Sequence, residues 1–372
     1  LDGLRAFAVF AVLCQHMAAI TGGYLGVDIF LVLSGFLITS LLLQEWDERG
    51  TLSIKAFYIR RAYRLLPGFY FYVAIGAVLV MLVKGPSQQH EFARGALSSL
   101  FYYNNYQRAL VDPDAGGSWF GHVWSLSLEE QFYVIWPVCL LLLSRSSRLR
   151  AHLPTILLAG AGAVLLWREV LIARGASDLR IYFGLDTRAD ALLVGCALGA
   201  FRRNGFRLST RSELDRDAHI PGWVVTAGPI AFALLAVIAL TAPELNHGIT
   251  WLDRGGYTLV AGLAGLVVLS VDASRASGWS RFLGSRPLAF MGRISYAFYL
   301  WHYPVAALLP KFTARYGMLP SLTLAFVVST VLAYLSTRFI EIPAQRRRPA
   351  WADVPAVRER TSSEHPAPSL VA

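Results

Sequence analysis

Charge is scarce in this chain. Only 16 % of its 372 residues are Asp, Glu, Lys or Arg, against roughly 25 % in an average soluble domain. No polar stretch is long enough to fold alone, which excludes a soluble domain of any size. Lysine is nearly missing: Lys55, Lys84 and Lys311 are the only three, and arginine supplies the rest of the positive charge. Cysteine is scarce too. Cys14, Cys139 and Cys196 lie in apolar segments with no CxxC pair and no metal-ligand spacing. They read as small buried hydrophobes, and no metal is expected. There is no internal repeat. The first apolar run is too long for a secretory signal core and carries no cleavage-site pattern, so no cleavable leader is expected.

What is present is apolar surface. Hydrophobic residues make up 55 % of the chain and the mean hydropathy is +0.47. Apolar runs fall near 4–20, 23–44, 65–83, 92–106, 123–143, 153–173, 187–201, 221–241, 256–272, 288–309 and 319–340. About 20 residues cross a bilayer as a helix. The fold class expected is therefore all-α, a polytopic transmembrane helix bundle. The net charge of +10 is then a matter of position, and nucleic acid is not an expected partner. The loops "EWDERGTLSIKAFYIRRAYR", "SRSSRLR", "FRRNGFRLSTR", "SRASGWSRFLGSR" and "QRRR" are basic, so each is expected on the cytoplasmic side. Parity allows this only if 92–143 crosses once. About ten crossings follow, in the plasma membrane, with both termini cytoplasmic. One of 92–106 and 119–132 is then a partial or re-entrant helix lining protein. Residues 1–343 form the transmembrane domain. Residues 344–372, rich in Pro, Arg, Glu and Ser, are expected to be a disordered cytoplasmic tail.

An ionisable side chain at the bilayer centre costs about 2.5–3.5 kcal/mol on insertion scales and marks function by default. Arg5 and His16 lie on the first apolar helix, eleven residues apart. That spacing is about three turns, so they share one face, roughly 16 Å apart along the axis. Arg5 as an interfacial anchor and His16 as a packing hydrogen bond are the plain alternatives. In "FYIRRAYRLLP", Arg60, Arg61 and Arg64 enter the membrane together. Arg61 and Arg64, three residues apart, point the same way and suit a phosphate or pyrophosphate. Anionic-lipid anchoring explains them equally. In "GHVWSLSLEEQFYVIWP", His122, Glu129 and Glu130 sit among aromatic residues. The adjacent glutamates point about 100° apart and need different partners. In "YFGLDTRADALLVG", Arg188 is expected to pair with a neighbouring aspartate, Asp186 or Asp190. Asp28 and Ser34 of "GVDIFLVLSGFLIT" give a softer signal, and Trp301 and His302 of "GRISYAFYLWHYPV" read as an interfacial belt.

Taken in order, these stretches resemble the integral-membrane acyltransferase-3 family over residues 1–343. "LDGLRAFAVFAVLCQH" carries the family's Arg-x10-His spacing. "GYLGVDIFLVLSGFLIT", "FYIRRAYRLLP", "HVWSLSLEEQFYVIWP", "TRADALLVGCALGA" and "GRISYAFYLWHYPV" follow, closing with "RFIEIPAQR". The resemblance implies acyl transfer, acetyl in the first instance, from cytoplasmic acyl-CoA to a hydroxyl. The acceptor is a polysaccharide, a glycolipid or a macrolide-type small molecule. It makes His16 the catalytic histidine, with Glu129 the matching acid. It places Arg5, Arg60, Arg61 and Arg64 at the donor, and Asp28, Ser34, Trp124 and Tyr133 as substrate-binding candidates. The sequence shows no counterpart of the SGNH-type domain that many members carry, so a stand-alone form is expected. A lipid or sugar transporter with a polar intramembrane pore remains the rival reading of the same residues.

Overall fold

The computed structural model describes residues 1–203, 222–245, 248–274, 277–309 and 314–353, and among these there is no strand. Seven segments are long and apolar enough to cross a membrane: Gly23–Arg49, Ile54–Val83, Trp124–Ser144, Leu153–Ala173, Gly222–Thr241, Leu252–Ala273 and Met318–Arg346. Helices begin and end where local chemistry demands. The first helix is α1 (Asp2–His16), followed by α2 (Gly26–Arg49), which stops at Gly50 with φ +69°. That left-handed position suits glycine. Ser53 then caps α3 (Ile54–Val83), its hydroxyl accepting from the Ala56 N–H at 3.2 Å.

The region expected to be special is built from short pieces. These are α4 (Pro86–Leu100), α5 (Asn104–Leu110) and α6 (Gly117–Phe120). None of them is long and apolar enough to cross. The run at 92–106 is broken between Leu100 and Asn104, so within 92–143 the crossing-capable helix is α7 (Trp124–Ser144). A short turn α8 (Ser147–Ala151) leads to α9 (Leu153–Ala173), α10 (Asp178–Phe183), α11 (Leu185–Arg203) and α12 (Gly222–Thr241). A π-helical turn, Leu252–Gly256, opens α13 (Tyr257–Ala273). Then come α14 (Gly278–Leu283), α15 (Arg286–Arg293), α16 (Ser295–Leu308) and a last long helix, Met318–Ser336.

Three further apolar runs form helices that are shorter, more charged or divided. The run at 4–20 is α1, whose 15 residues span only about 22 Å. The run at 187–201 is α11, which carries three charges near its start. The run at 288–309 is divided between α15 and α16. Two of these helices sit in the core of the bundle. Leu4, Ala8, Val9 and Leu13 of α1 and Leu192, Cys196 and Ala197 of α11 are fully buried, so other helices, rather than lipid, cover them.

Glycine sets how closely the core helices approach. A Cβ at Gly35 of α2 would lie 2.1 Å from the Leu192 carbonyl oxygen of α11. A Cβ at Gly195 of α11 would lie 2.1 Å from that of Val32. The two backbones touch, as small residues allow inside a membrane. Gly195→Val should therefore prevent assembly, lowering both the yield of monodisperse protein and its melting temperature in detergent. Gly262→Val in α13, where nothing lies within 4 Å, should leave both near wild type. Equal behaviour of the two variants would contradict this close approach.

The charges of α11 are paired, but not as expected. Residues two apart on a helix face nearly opposite sides and cannot meet. Arg188 instead donates across the bundle to Asp28 Oδ1 of α2 at 2.5 Å. Asp190 is bound by Arg168 of α9 at 2.9 Å, and Asp186 by Arg180 at 2.6 Å. Arg188, Arg168 and Asp28 are fully buried. The Arg188 guanidinium also lies 3.7 Å from the Tyr257 ring centre. Five helices, α2, α9, α10, α11 and α13, are joined by this set.

The chain after 343 keeps its structure for a further ten residues. Ile342–Arg346 is helical, and Ala350–Ala352 turns back over α3. Arg60 donates to the Ala352 carbonyl at 2.8 Å, and Arg49 to that of Asp353 at 3.0 Å. The Lys55 ammonium lies 5.1 Å from the Trp351 ring centre. The tail expected from 344 onward is thus fastened by basic side chains as far as 353. Residues 354–372 lie outside the described residues.

Candidate functional site

Arg5 and His16 do lie on one stripe of α1. Val9 and Val12, between them on that face, are 0 % and 2 % exposed. His16 is solvent-exposed. The accessible imidazole thus stands at the end of a stripe otherwise covered by protein. Two rings from α16 flank it. The His302 ring centre is 5.4 Å away, and the Tyr303 ring meets it edge-on at 4.8 Å.

A third histidine completes this end. His122, just before α7, lies 5.3 Å from His302 and stacks on Tyr303 at 4.7 Å. Its placement is fixed by Tyr299, whose hydroxyl donates to the His122 carbonyl at 2.9 Å and lies 2.6 Å from that of Ser125. Among the described residues no set of three or more His, Cys, Asp and Glu side chains is arranged to hold a metal ion. Arg108 of α5 supplies the nearby positive charge. Its Nη1 donates to the carbonyls of Ala115 and Gly121 at 3.2 and 3.0 Å. The guanidinium also hydrogen-bonds the Tyr303 hydroxyl, and its charge reaches His16.

The other end of the α1 stripe is an arginine–carboxylate cluster. Arg61 donates to Glu130 Oε1 at 2.6 Å, and its guanidinium lies flat over Tyr133, 3.4 Å from the ring centre. Glu129 has a different partner, the Ser34 hydroxyl, with the charges of Arg61 and Arg5 acting on it. Arg64 stands within the fields of Arg5, Arg61 and Glu129 and is solvent-exposed. Glu341 enters from the π-helical turn Thr337–Glu341 after the last long helix. It is 5 % exposed, packs against Gly68, and faces Arg64.

The structure sorts the expected site residues. Arg5, Arg61, Arg64, Glu129, Ser34 and Tyr133 come together at one end. Arg60 points elsewhere: it is held by Glu45 at 2.8 Å and by the Ala352 carbonyl. Asp28 is closed from solvent by its pairing with Arg188. Trp124 is buried against Tyr182 and Phe183, at 4.7 and 5.0 Å. Glu129 makes no hydrogen bond or ion pair to His16 among the described residues. The imidazole's neighbours are His302, Tyr303 and Arg108 instead. The belt expected at Trp301–His302 is overturned, because His302 is 0 % exposed. Its signal was an ionisable residue in an apolar run. Arg108 had no such signal, since it follows the polar stretch Asn104, Asn105 and Gln107 and lies beyond the apolar run at 92–106.

A polytopic helical membrane protein with an accessible histidine and an arginine–carboxylate cluster is the class these observations define. The family model described as an acyltransferase domain matches residues 1–338, and the chain belongs to that family. It is similar to a peptidoglycan O-acetyltransferase, OatA, of Listeria monocytogenes, 34 % identical over 354 residues. That alignment covers 93 % of this chain and 55 % of the relative. It is 36 % identical over 357 residues to YrhL of Bacillus subtilis, named a putative peptidoglycan O-acetyltransferase, covering 92 % of this chain and 54 % of that protein. The O-acetyltransferase OatA of Staphylococcus aureus is 30 % identical over 355 residues, covering 93 % of this chain and 57 % of its own length. The chain thus spans just over half the length of these relatives. No solved structure matches it.

Proposed function

We propose that this chain transfers an acyl group, acetyl in the first instance, from cytoplasmic acyl-CoA to a hydroxyl of a carbohydrate acceptor. The observation that carries the reading is the α1 stripe, with Arg5 among the arginines at one end and the accessible His16 at the other. Acyl-CoA has the matching shape: phosphates at one end, a thin pantetheine arm, and a thioester at the tip. Arg5, Arg61 and Arg64 take the phosphates, since guanidinium forks suit them. Glu129, held by Ser34, orders those guanidiniums. The names of the relatives favour acetyl as the acyl group and a peptidoglycan sugar as the acceptor.

The transfer needs a base, because a neutral hydroxyl is a poor nucleophile. His16 removes the proton as the acceptor oxygen attacks the thioester carbonyl. The carbon–sulfur bond then breaks, and the thiolate leaves with the proton returned from His16. An ester and free CoA are the products, and no acyl-enzyme is required.

The test is CoA release by purified protein in nanodiscs, with acetyl-CoA and a muropeptide acceptor. Release should require the acceptor and match acetylated product one for one. Transport of the acceptor with no acyl-CoA present, and no CoA release, would overturn the reading in favour of a transporter. Arg61→Ala should raise the KM for acetyl-CoA about tenfold or more while leaving the acceptor KM within twofold. A charged hydrogen bond contributes about 1.5–3 kcal/mol. An unchanged donor KM would remove Arg61 from the donor site.

A further inference from the structure

His302 is fully buried, yet its Nε2 meets no hydrogen-bond partner. A buried unpaired polar atom costs free energy and calls for an explanation. Its other nitrogen fixes the tautomer. Nδ1 lies 2.6 Å from the Tyr299 carbonyl oxygen. A carbonyl only accepts, so Nδ1 carries the hydrogen and Nε2 presents a lone pair. The rings around it are His16 at 5.4 Å, His122 and Tyr299 each near 5 Å, Tyr303 at 6.3 Å and Phe298 stacked at 6.2 Å. Of these, His16 alone is exposed, while Tyr303 is half-buried and the rest are buried.

We propose that His302 is a positioning residue for His16. Its Nε2 lone pair receives the N–H of the His16 imidazole and so holds that ring in one tautomer. The second His16 nitrogen is then left as an acceptor facing the substrate hydroxyl. A ring separation of 5.4 Å accommodates an N–H···N bond of about 3 Å once the two nitrogens face each other. A base must be oriented as well as basic, and a partner on the far nitrogen does this. The partner here is a neutral imidazole in place of a carboxylate. It performs the positioning without bringing a charge into the membrane. No bond is made or broken at His302. The proton taken from the acceptor stays on His16 until the thiolate accepts it.

This inference rests on His16 as the base, so the experiment separates the two. The full chain is purified as wild type, His302→Phe, His302→Gln, His16→Ala and the His16→Ala/His302→Phe double variant. Melting temperature, kcat and both KM values are measured for each with acetyl-CoA and the muropeptide acceptor. Phe keeps the ring stacked on Phe298 and removes the lone pair. It should lower kcat about 100-fold with the donor KM within twofold and the melting temperature held. Gln, whose amide oxygen accepts an N–H, should recover at least tenfold of that loss. The double variant should be no slower than His16→Ala alone. If His302→Phe turns over like wild type while His16→Ala is inert, the inference fails and the base assignment stands. If His16→Ala turns over like wild type, the base assignment itself fails. A further loss in the double variant, or loss of activity only together with folding in both His302 variants, would make His302 structural and overturn the proposal.

Discussion

His16→Ala is expected to lower acyl transfer by about 10²–10⁴-fold, the usual contribution of a positioned general base. The loss should fall on kcat. On the proposed reading, donor recognition belongs to the arginines near the far end of the α1 stripe, roughly 16 Å away. The KM for acetyl-CoA should therefore stay within about threefold. Alanine at 16 should also leave folding intact, because the imidazole is solvent-exposed and its neighbours His302 and Tyr303 keep contacts of their own, to the Tyr299 carbonyl and the His122 ring. A melting temperature within about 2 °C of wild type is expected, since exposed substitutions usually stay within about 0.5 kcal/mol. Single-turnover product formation checks the kinetic claim without interference from product release. Full activity with any acceptor would remove His16 from the chemistry.

The second large effect is on stability. Arg188→Met should cost about 3–5 kcal/mol, the usual penalty for removing one partner of a buried ion pair. Arg188 and Asp28 are 0 % and 1 % exposed at the side chain and 2.5 Å apart. Met would leave the Asp28 carboxylate stranded among apolar helices. It would also remove a positive charge beside Asp190, which then depends on Arg168 alone. The yield of folded protein should fall sharply, and the melting temperature in detergent with it. The double variant Asp28→Leu/Arg188→Met should regain most of the loss, because an apolar pair of similar volume is often neutral or better. If Arg188→Met melted like wild type, the pair would hold nothing together. If the double variant retained acyl transfer, neither residue would bind substrate.

The architecture was legible because a bilayer imposes its length on the sequence. Each of the seven crossing-capable helices coincides with an apolar run, and the basic loops stand between them. Parity of loop charge allowed 92–143 one crossing, with either 92–106 or 119–132 partial, and the chain breaks at 92–106 into short helices. The apolar runs of α1, α11 and α16 lie within the core of the bundle. Hydropathy alone does not distinguish a helix facing lipid from one facing other helices, since both are apolar. Ion pairing was misread at Arg188 for the opposite reason. Near neighbours in sequence look like partners, but helix geometry turned them apart, and the partner came from 160 residues away.

The sequence by itself determined that this is a helical membrane chain. It also placed Arg5 and His16 on one face of one helix, because a 3.6-residue period leaves no other arrangement for that spacing. It marked Arg61, Arg64 and Glu129, because ionisable groups are costly in an apolar run. The tertiary structure decided how these were shared out. It gave Glu129 to Ser34 and the arginine cluster, Arg60 to Glu45, and Asp28 to Arg188. It brought His302, Tyr303 and Arg108 to His16. Except for Arg60 and Glu45, which are 15 positions apart, those meetings join residues distant in sequence, and such contacts are made by packing rather than by any local pattern.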